Sequence, residues 1–285
     1  MIITNKHNLP APLVSVIKND PYDAGLSDIS TTSLISPPRI VQLRKRHDHE
    51  ITEDVADNIY RLIGSNTHHI LELIDNAGCI KERRFYGGYN GWVVSGQIDL
   101  YEINPAILSD YKVTSVWSVI NGLKPEHEAQ LNINAELMRH EGIDPKRLQI
   151  VNLLRDWSMR KAHEAGYPNC QVFVQDVPRW KVDFTKAYID ERISIHKEAK
   201  NLHDKDLPVC TPDERWERPT KYAVMKKGRK SALRLLDSES EAEDYIELKG
   251  LAIPTHYIEI RDGESVRCEM YCNVNGFCNQ YKGKE

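Results

Sequence analysis

Two aspartates and a lysine carry the clearest chemical signal in this chain. Asp99, Asp110 and Lys112 fall in one stretch, SGQIDLYEINPAILSDYKVTS, over residues 95–115. The apolar-flanked run that ends at Asp99 reads as one strand, and the run around Asp110 and Lys112 as the next. Alternate residues of a strand point to the same face, so Asp110 and Lys112 share a face and Tyr111 takes the other. Two carboxylates beside an ammonium suit a hard divalent cation next to a phosphate. A D-x-K triplet alone is equally at home on a solvated hairpin, so the surrounding elements decide between the two readings.

Those elements are readable from periodicity and turn signals. Residues 1–38 are rich in Pro, Ser, Thr and Asn without a period and read as an N-terminal arm. Pro38 suits a first helical position, opening a helix with Ile40, Leu43 and the basic triplet Arg44, Lys45, Arg46. Val55, Ile59, Leu62, Ile63, Ile70, Leu71 and Ile74 recur at helical spacing, with Gly78 as a stop. On that helix His68 and Glu72 are four apart and share a face, as the ligands of a cation or as a plain surface pair. Residues 81–103 read as an antiparallel pair turning at Gly87–Gly91 and leading into Asp99. A helix from about Pro125 to His140 places Gln130 and Asn134 on one face. Runs at 148–156 and 171–177 read as strands, and 182–203 as a long helix with Tyr188, Ile189 and Ile193 inward.

Past residue 206 the composition shifts. A Pro-bracketed connection leads into a hairpin turning at Lys227-Gly228 and a helix capped at Asp237 or Ser238. The hairpin holds Lys226, Lys227, Arg229 and Lys230, a second basic patch. Either patch can be a nucleic-acid contact or simply a solvated face. The expected organisation is an arm over 1–38, a core over 39–206, a small basic ββα appendage over 207–250, and a cysteine-bearing segment over 251–285 that packs on the core.

The chain has 285 residues and a net charge of -4, so a general basic coat for nucleic acid is absent. No run of eighteen apolar residues occurs, and the first residues lack the basic-then-apolar order of a signal peptide. No membrane association and a cytoplasmic setting are expected, in a bacterial cell or a phage-infected host. Cysteines there are reduced thiols or metal ligands. Cys268, Cys272 and Cys278 are spaced C-x3-C-x5-C, a density that points to a metal. The fourth ligand is open: Cys210, in a Pro-flanked loop, ranks ahead of Cys79, and Cys170 opens an apolar strand. The count alone does not separate zinc from iron–sulfur.

In combination these motifs resemble the PD-(D/E)XK nuclease superfamily, in its RecB-like branch with a four-cysteine iron–sulfur cluster. That branch includes phage exonucleases, CRISPR-adaptation nucleases and the AddB nuclease domain. The resemblance spans roughly residues 30–281. G-x-x-x-H-x-x-x-E matches Gly64, His68 and Glu72. G-x-x-D matches Gly96 and Asp99, and [DE]-x-K matches Asp110 and Lys112. Q-x-x-x-Y matches Gln130 but has Asn134 in the Tyr place. In the familiar members the first cluster cysteine precedes the nuclease motifs and the last three are spaced C-x2-C-x5-C, so the cysteine pattern here departs from theirs.

The resemblance implies an α/β fold with a central mixed sheet flanked by helices and the site where strands diverge. It implies a DNA nuclease, expected as an exonuclease acting on single strands or duplex ends, using Mg²⁺ or Mn²⁺. His68, Asp99, Asp110 and the backbone carbonyl of Tyr111 would hold the ion. Glu72 would bind a second ion or its water, Lys112 would polarise the attacking water, and Gln130 would contact the nucleic-acid backbone or orient the lysine, with Asn134 on the same face. A structural [4Fe-4S] cluster on Cys210, Cys268, Cys272 and Cys278 is expected, with Zn²⁺ as the alternative. No G-x-x-x-x-G-K-[ST] loop is present, so unwinding falls to a helicase or recombination partner. The rival readings are a nuclease-like module that binds without cutting and a zinc-stabilised structural protein.

Overall fold

The computed structural model describes residues 1–19, 25–74 and 76–282. Part of the expected N-terminal arm, residues 20–24, and the last three residues of the tail lie outside these. The chain forms two compact units, Met1–Leu207 and Pro208–Glu285, each of mixed α/β structure. Among the described residues no helix is long and apolar enough to cross a membrane.

The first unit is built on strand β1 (Ile29–Ser30), helices α1 (Thr31–Ile35), α2 (Pro38–Arg46) and α3 (Ile59–Leu73), and strands β2 (Cys79–Lys81), β3 (Arg84–Tyr89), β4 (Trp92–Gln97), β5 (Leu100–Glu102) and β6 (Ile107–Thr114). Helices α4 (Val116–Ile120) and α5 (Pro125–Arg139) follow, then β7 (Arg147–Leu154), β8 (Val172–Val177) and helix α6 (Val182–Asn201). The five-stranded central sheet runs β8-β7-β6-β5-β2. Its β6–β7 pair is parallel and the other pairs are antiparallel, so the sheet is mixed. A smaller sheet runs β1-β4-β3.

One bent ribbon joins the two sheets. Asn90 and Gly91, both at positive φ, make the two-residue turn between β3 and β4. The register this turn imposes pairs Arg84 with Gln97 and Lys81 with Leu100 without a slip. Between those pairs Glu82 N donates to Asp99 O at 3.2 Å and Ile98 N donates to Arg83 O at 3.0 Å. The ribbon therefore leaves the small sheet and enters the central one at Glu82–Asp99, where Glu82 has φ +47°. A non-glycine residue in that region marks a constrained turn of the backbone.

Helix α5 lies against the ribbon and the central sheet. Leu131, Ile133, Leu137 and Met138 meet Phe85, Leu108, Ile150, Ile189 and Ile193 in one buried cluster. Burial of these side chains fixes the rotation of α5 and so aims its polar positions. The expected arm is only partly an arm. Ile29 and Ser30 pair in parallel with Val94 and Ser95, and Thr31 and Leu34 are buried, because this segment supplies an edge strand to the small sheet.

In the second unit strands β9 (Lys221–Lys226), β10 (Arg234–Leu236) and β11 (His256–Arg261) form a sheet of order β10-β9-β11 under helix α7 (Glu239–Leu248). Ser238 caps that helix by accepting from Glu241 N at 3.2 Å. The expected boundary at residue 250 is corrected: β11 belongs to the appendage sheet, since it supplies the second partner that β9 needs.

Candidate active site

The bend of the ribbon, helix α3 and strand β6 bring four acidic or imidazole groups together. Asp99 closes the ribbon on one side and Glu82 stands directly across from it. His68 reaches in from α3, with Nδ1 at 3.1 Å from Glu82 Oε1 and 3.6 Å from Asp99 Oδ1. Ligand atoms of His68, Glu82 and Asp99 all lie within 4.8 Å of one another. Asp99 Oδ2 accepts from the amide of Tyr111 at 2.7 Å, which ties the ribbon to β6. Asp110, 4% exposed, accepts from Gln130 Nε2 through Oδ1 at 3.1 Å. Lys112 Nζ sits 2.7 Å from Asp110 Oδ2. That close ion pair is the partner of this buried oxygen.

The electrostatics follow from crowding carboxylates in a half-buried place. Burial, and then the neighbouring charge of Asp110, push the Asp99 carboxyl up to about 7. The hydrogen bond that His68 Nδ1 donates to Glu82 raises His68, against burial, with Asp99 adding to the rise. Burial pulls the Lys112 ammonium down, but Asp110 and Asp99 outweigh it and the net shift is upward. Lys112 therefore stays charged. His68, Glu82 and Asp99 open onto a cleft of about 520 Å³ that also takes in Ser30, Thr32, Arg84, Gln97 and Gln130, while Asp110 and Lys112 lie behind this lining.

Not every expected residue arrives. Glu72 stands at the mouth of the cleft, its side chain about half exposed, and its nearest charge is His69 at 3.9 Å. It lies one turn beyond His68, where its carbonyl accepts from Lys81 Nζ at 2.9 Å, and Glu82 takes the place beside the imidazole. Glu82 was legible in principle. Given Asn90-Gly91 as the turn, antiparallel register puts residue 82 opposite 99, on the same face. A second residue missed in the sequence is His127, one helical turn before Gln130 on α5. Burial, followed by the charge of Lys112, holds its pKa at about 4.

Asn134 lines the same cleft as Gln130. It is 3% exposed, and its Nδ2 donates to Gln97 O at 3.2 Å. It presses against Gly96, where a Cβ would overlap both Asn134 Oδ1 and Thr31 Oγ1. It therefore also buttresses the ribbon. Gln130 acts on Asp110, not on the lysine. Tyr111 enters through its amide, and its ring stands edge-on to His68 with centroids 6.3 Å apart.

Of the first basic patch, Arg44 and Lys45 are exposed on α2. Arg46 is committed to holding the fold: it pairs with Asp204 at 2.7 Å and donates to Ala199 O and Lys200 O at 3.2 and 3.1 Å. A cation at the carbonyl end of α6 is favoured there by the helix dipole. Lys226, Lys227, Arg229 and Lys230 are all exposed at the β9–β10 turn, where Gly228 has φ +81°.

The cysteines divide between the units. Cys79 lies on β2 and Cys170 on an exposed loop of the first unit. Cys210, Cys268, Cys272 and Cys278 all belong to the second, with Cys210 and Cys278 buried. Gln280 clasps the Cys210 backbone, accepting from its amide at 2.8 Å and donating to its carbonyl at 2.9 Å. Asn275 binds the other three: its side chain donates to Cys268 O at 2.9 Å, its amide to Cys272 O at 3.2 Å, and its carbonyl accepts from Cys278 N at 3.1 Å. Among the described residues no three thiols come within 4.8 Å of one another.

No family model and no curated protein matches this chain. Among solved structures, the crystal structure of SSO0001 aligns with a TM-score of 0.46 and 16% identity, covering 64% of this chain and 84% of that one. A likeness at that level carries no argument about this protein.

Proposed function

We propose that the protein is a metal-dependent DNA nuclease that hydrolyses phosphodiester bonds in the cleft of its first unit. The observation that carries this reading is the convergence of His68, Glu82 and Asp99 beside the Asp110–Lys112 pair. Hard oxygen donors and one imidazole within 4.8 Å of one another, with a second carboxylate close enough to raise the Asp99 carboxyl, fit Mg²⁺ or Mn²⁺. Asp99 and Asp110 would hold the ion, with His68 and Glu82 completing the donor set. When bound, the ion supplies positive charge to neutralise the phosphate and the carboxylates and to acidify water.

The chain's own groups do the rest. Gln130 fixes Asp110 through Oδ1, and Lys112 holds Oδ2. The Tyr111 amide fixes Asp99 in the same way. Lys112, kept charged by Asp110, donates to a phosphate oxygen or to the attacking water and balances negative charge as it builds. The water oxygen bonds to phosphorus, the phosphorus–oxygen bond to the leaving strand breaks, and the proton passes to solvent. The exposed basic turn of the second unit and Arg44 and Lys45 supply positive charge for the nucleic-acid backbone.

Four cysteines in one unit, their backbones tied by Asn275 and Gln280, support a structural [4Fe-4S] cluster on Cys210, Cys268, Cys272 and Cys278. Hydrolysis moves no electrons, so the cluster would serve the fold. Anaerobically purified protein should be brown, and a colourless protein with stoichiometric zinc would overturn this assignment.

The test of activity compares wild type, Asp110→Ala and Lys112→Ala on labelled single- and double-stranded DNA with Mn²⁺. Equal activity in all three sinks the reading. End-labelled and circular DNA digested side by side separate exonuclease from endonuclease action.

A further inference from the structure

The end of strand β6 that follows Asp110 and Lys112 carries an aromatic and cationic rim. Beyond Thr114 the chain enters α4, whose first amide, Val116 N, donates to Asp156 Oδ1 at 2.7 Å. Val116 and Val119 are buried on Leu154, packed by Trp157, Tyr167 and Phe173. With those two positions anchored, the same short helix turns Trp117 and Ile120 outward, and Trp117 is 65% exposed. The indole is thus offered to solvent from a fixed base. Next to it, Arg155 N donates to Thr114 O at 3.0 Å. The Arg155 guanidinium lies 3.7 Å above the ring of Tyr60, itself 62% exposed at the start of α3. These residues sit past the C-terminal ends of the two parallel strands β6 and β7, where loops of α/β sheets meet their ligands.

Resting on the nuclease reading, we propose that Trp117, with the Arg155–Tyr60 stack beside it, holds unpaired nucleobases of the strand whose phosphodiester lies over Asp110 and Lys112. An exposed indole and a guanidinium on a phenol ring both present flat faces with an affinity for bases, and Arg155 adds a charge for the backbone. Base faces inside a duplex are already covered by their neighbours. The rim therefore selects a single strand or a frayed end. It stands at the end of the β6 face that carries Asp110 and Lys112, since these and Thr114 alternate toward one side and Arg155 N donates to Thr114 O at 3.0 Å.

The experiment measures the affinity of the full-length protein for a fluorescein-labelled short single strand and for the matching blunt duplex, in EDTA and at fixed salt. Trp117→Ala and Trp117→Leu should each weaken single-strand binding by about tenfold, because Leu keeps apolar bulk but has no π face. Trp117→Phe should lose less than about threefold, and duplex affinity should stay within about twofold throughout. A 2-aminopurine in the single strand should be quenched by wild type and not by Trp117→Leu. Unchanged thermal melting of the Phe variant guards against misfolding. Equal losses on both substrates, or no loss on either, overturn the rim. If wild type cuts DNA with Mn²⁺ while Trp117→Leu binds the single strand normally, the rim alone fails. If wild type neither binds nor cuts, the nuclease reading falls with it.

Discussion

In the first unit, charged side chains meet because a bent ribbon, a helix and a strand aim them at one another. In the second, Gln280 clasps the backbone of Cys210, and Asn275 holds the backbones of Cys268, Cys272 and Cys278, with no three thiols within 4.8 Å of one another among the described residues. The two arrangements place strain differently. The carboxylate site holds like charges close together: burial and the charge of Asp110 push Asp99 up to about 7. A site so arranged is better satisfied with a cation than without one. At the cysteines, the Cys210 amide and carbonyl, the Cys268 and Cys272 carbonyls and the Cys278 amide are hydrogen-bonded, and thiols are close to neutral partners for a protein interior. The lesson is that the first site calls for a cation through crowded charge, while the cysteine segment is marked only by its residue types.

Substitution separates the two. Asp110→Ala or Lys112→Ala should lower DNA cleavage on the order of a thousandfold while leaving thermal melting nearly unchanged. Cys278→Ser should do the reverse, lowering the melting temperature and bleaching the visible absorbance, because metal binding and folding are coupled. Parallel loss of activity and stability in both variants would erase the distinction.

A smaller effect tests which acid completes the cleft. Glu82→Gln should cost about 10- to 100-fold in activity at limiting Mn²⁺, and Glu72→Gln less than about threefold. The opposite ranking would return Glu72 to the site.

The pH dependence is smaller again. The folded Asp99 keeps its proton up to about 7, whereas its ordinary value is 3.8. Its contribution to the metal-free fold is therefore present at low pH and is lost as pH rises through about 7. Mn²⁺ must displace that proton, so its apparent affinity should fall about tenfold per pH unit below neutrality, read by calorimetry. Asp99→Asn should abolish both trends. In the cysteine segment the smallest change is expected: Asn275→Ala and Gln280→Ala should each cost about 1 kcal/mol in urea unfolding, the usual scale for lost hydrogen bonds.

Much of this was legible in the residues. The strand pair around Asp99, the Asp110–Lys112 face, the helix from Pro125 and the long helix with Ile189 and Ile193 inward follow from periodicity and turn chemistry, which act over a few residues. His68 was singled out by the G-x-x-x-H-x-x-x-E resemblance, since helical spacing alone paired it only with Glu72. Glu82 was within reach, because the Asn90-Gly91 turn sets the register, yet nothing in its neighbours marks it as an acid of the site. Glu72 shows the limit of spacing: a shared helix face says which way a side chain points, not where the helix ends relative to the sheet. Arg46 shows the same limit for charge, since its partner Asp204 lies far along the chain.

The sequence by itself determined the α/β pattern, the strand pair bearing Asp99, Asp110 and Lys112, and the cysteine-rich tail, because each rests on local backbone preference and residue chemistry. Only the tertiary structure decided that Glu82 rather than Glu72 faces His68, that Asn134 is buried beneath Gly96, and that residues 29–35 belong to the fold. Those outcomes depend on where the ribbon bends and how α5 is turned by its buried face, which are properties of packing between distant segments.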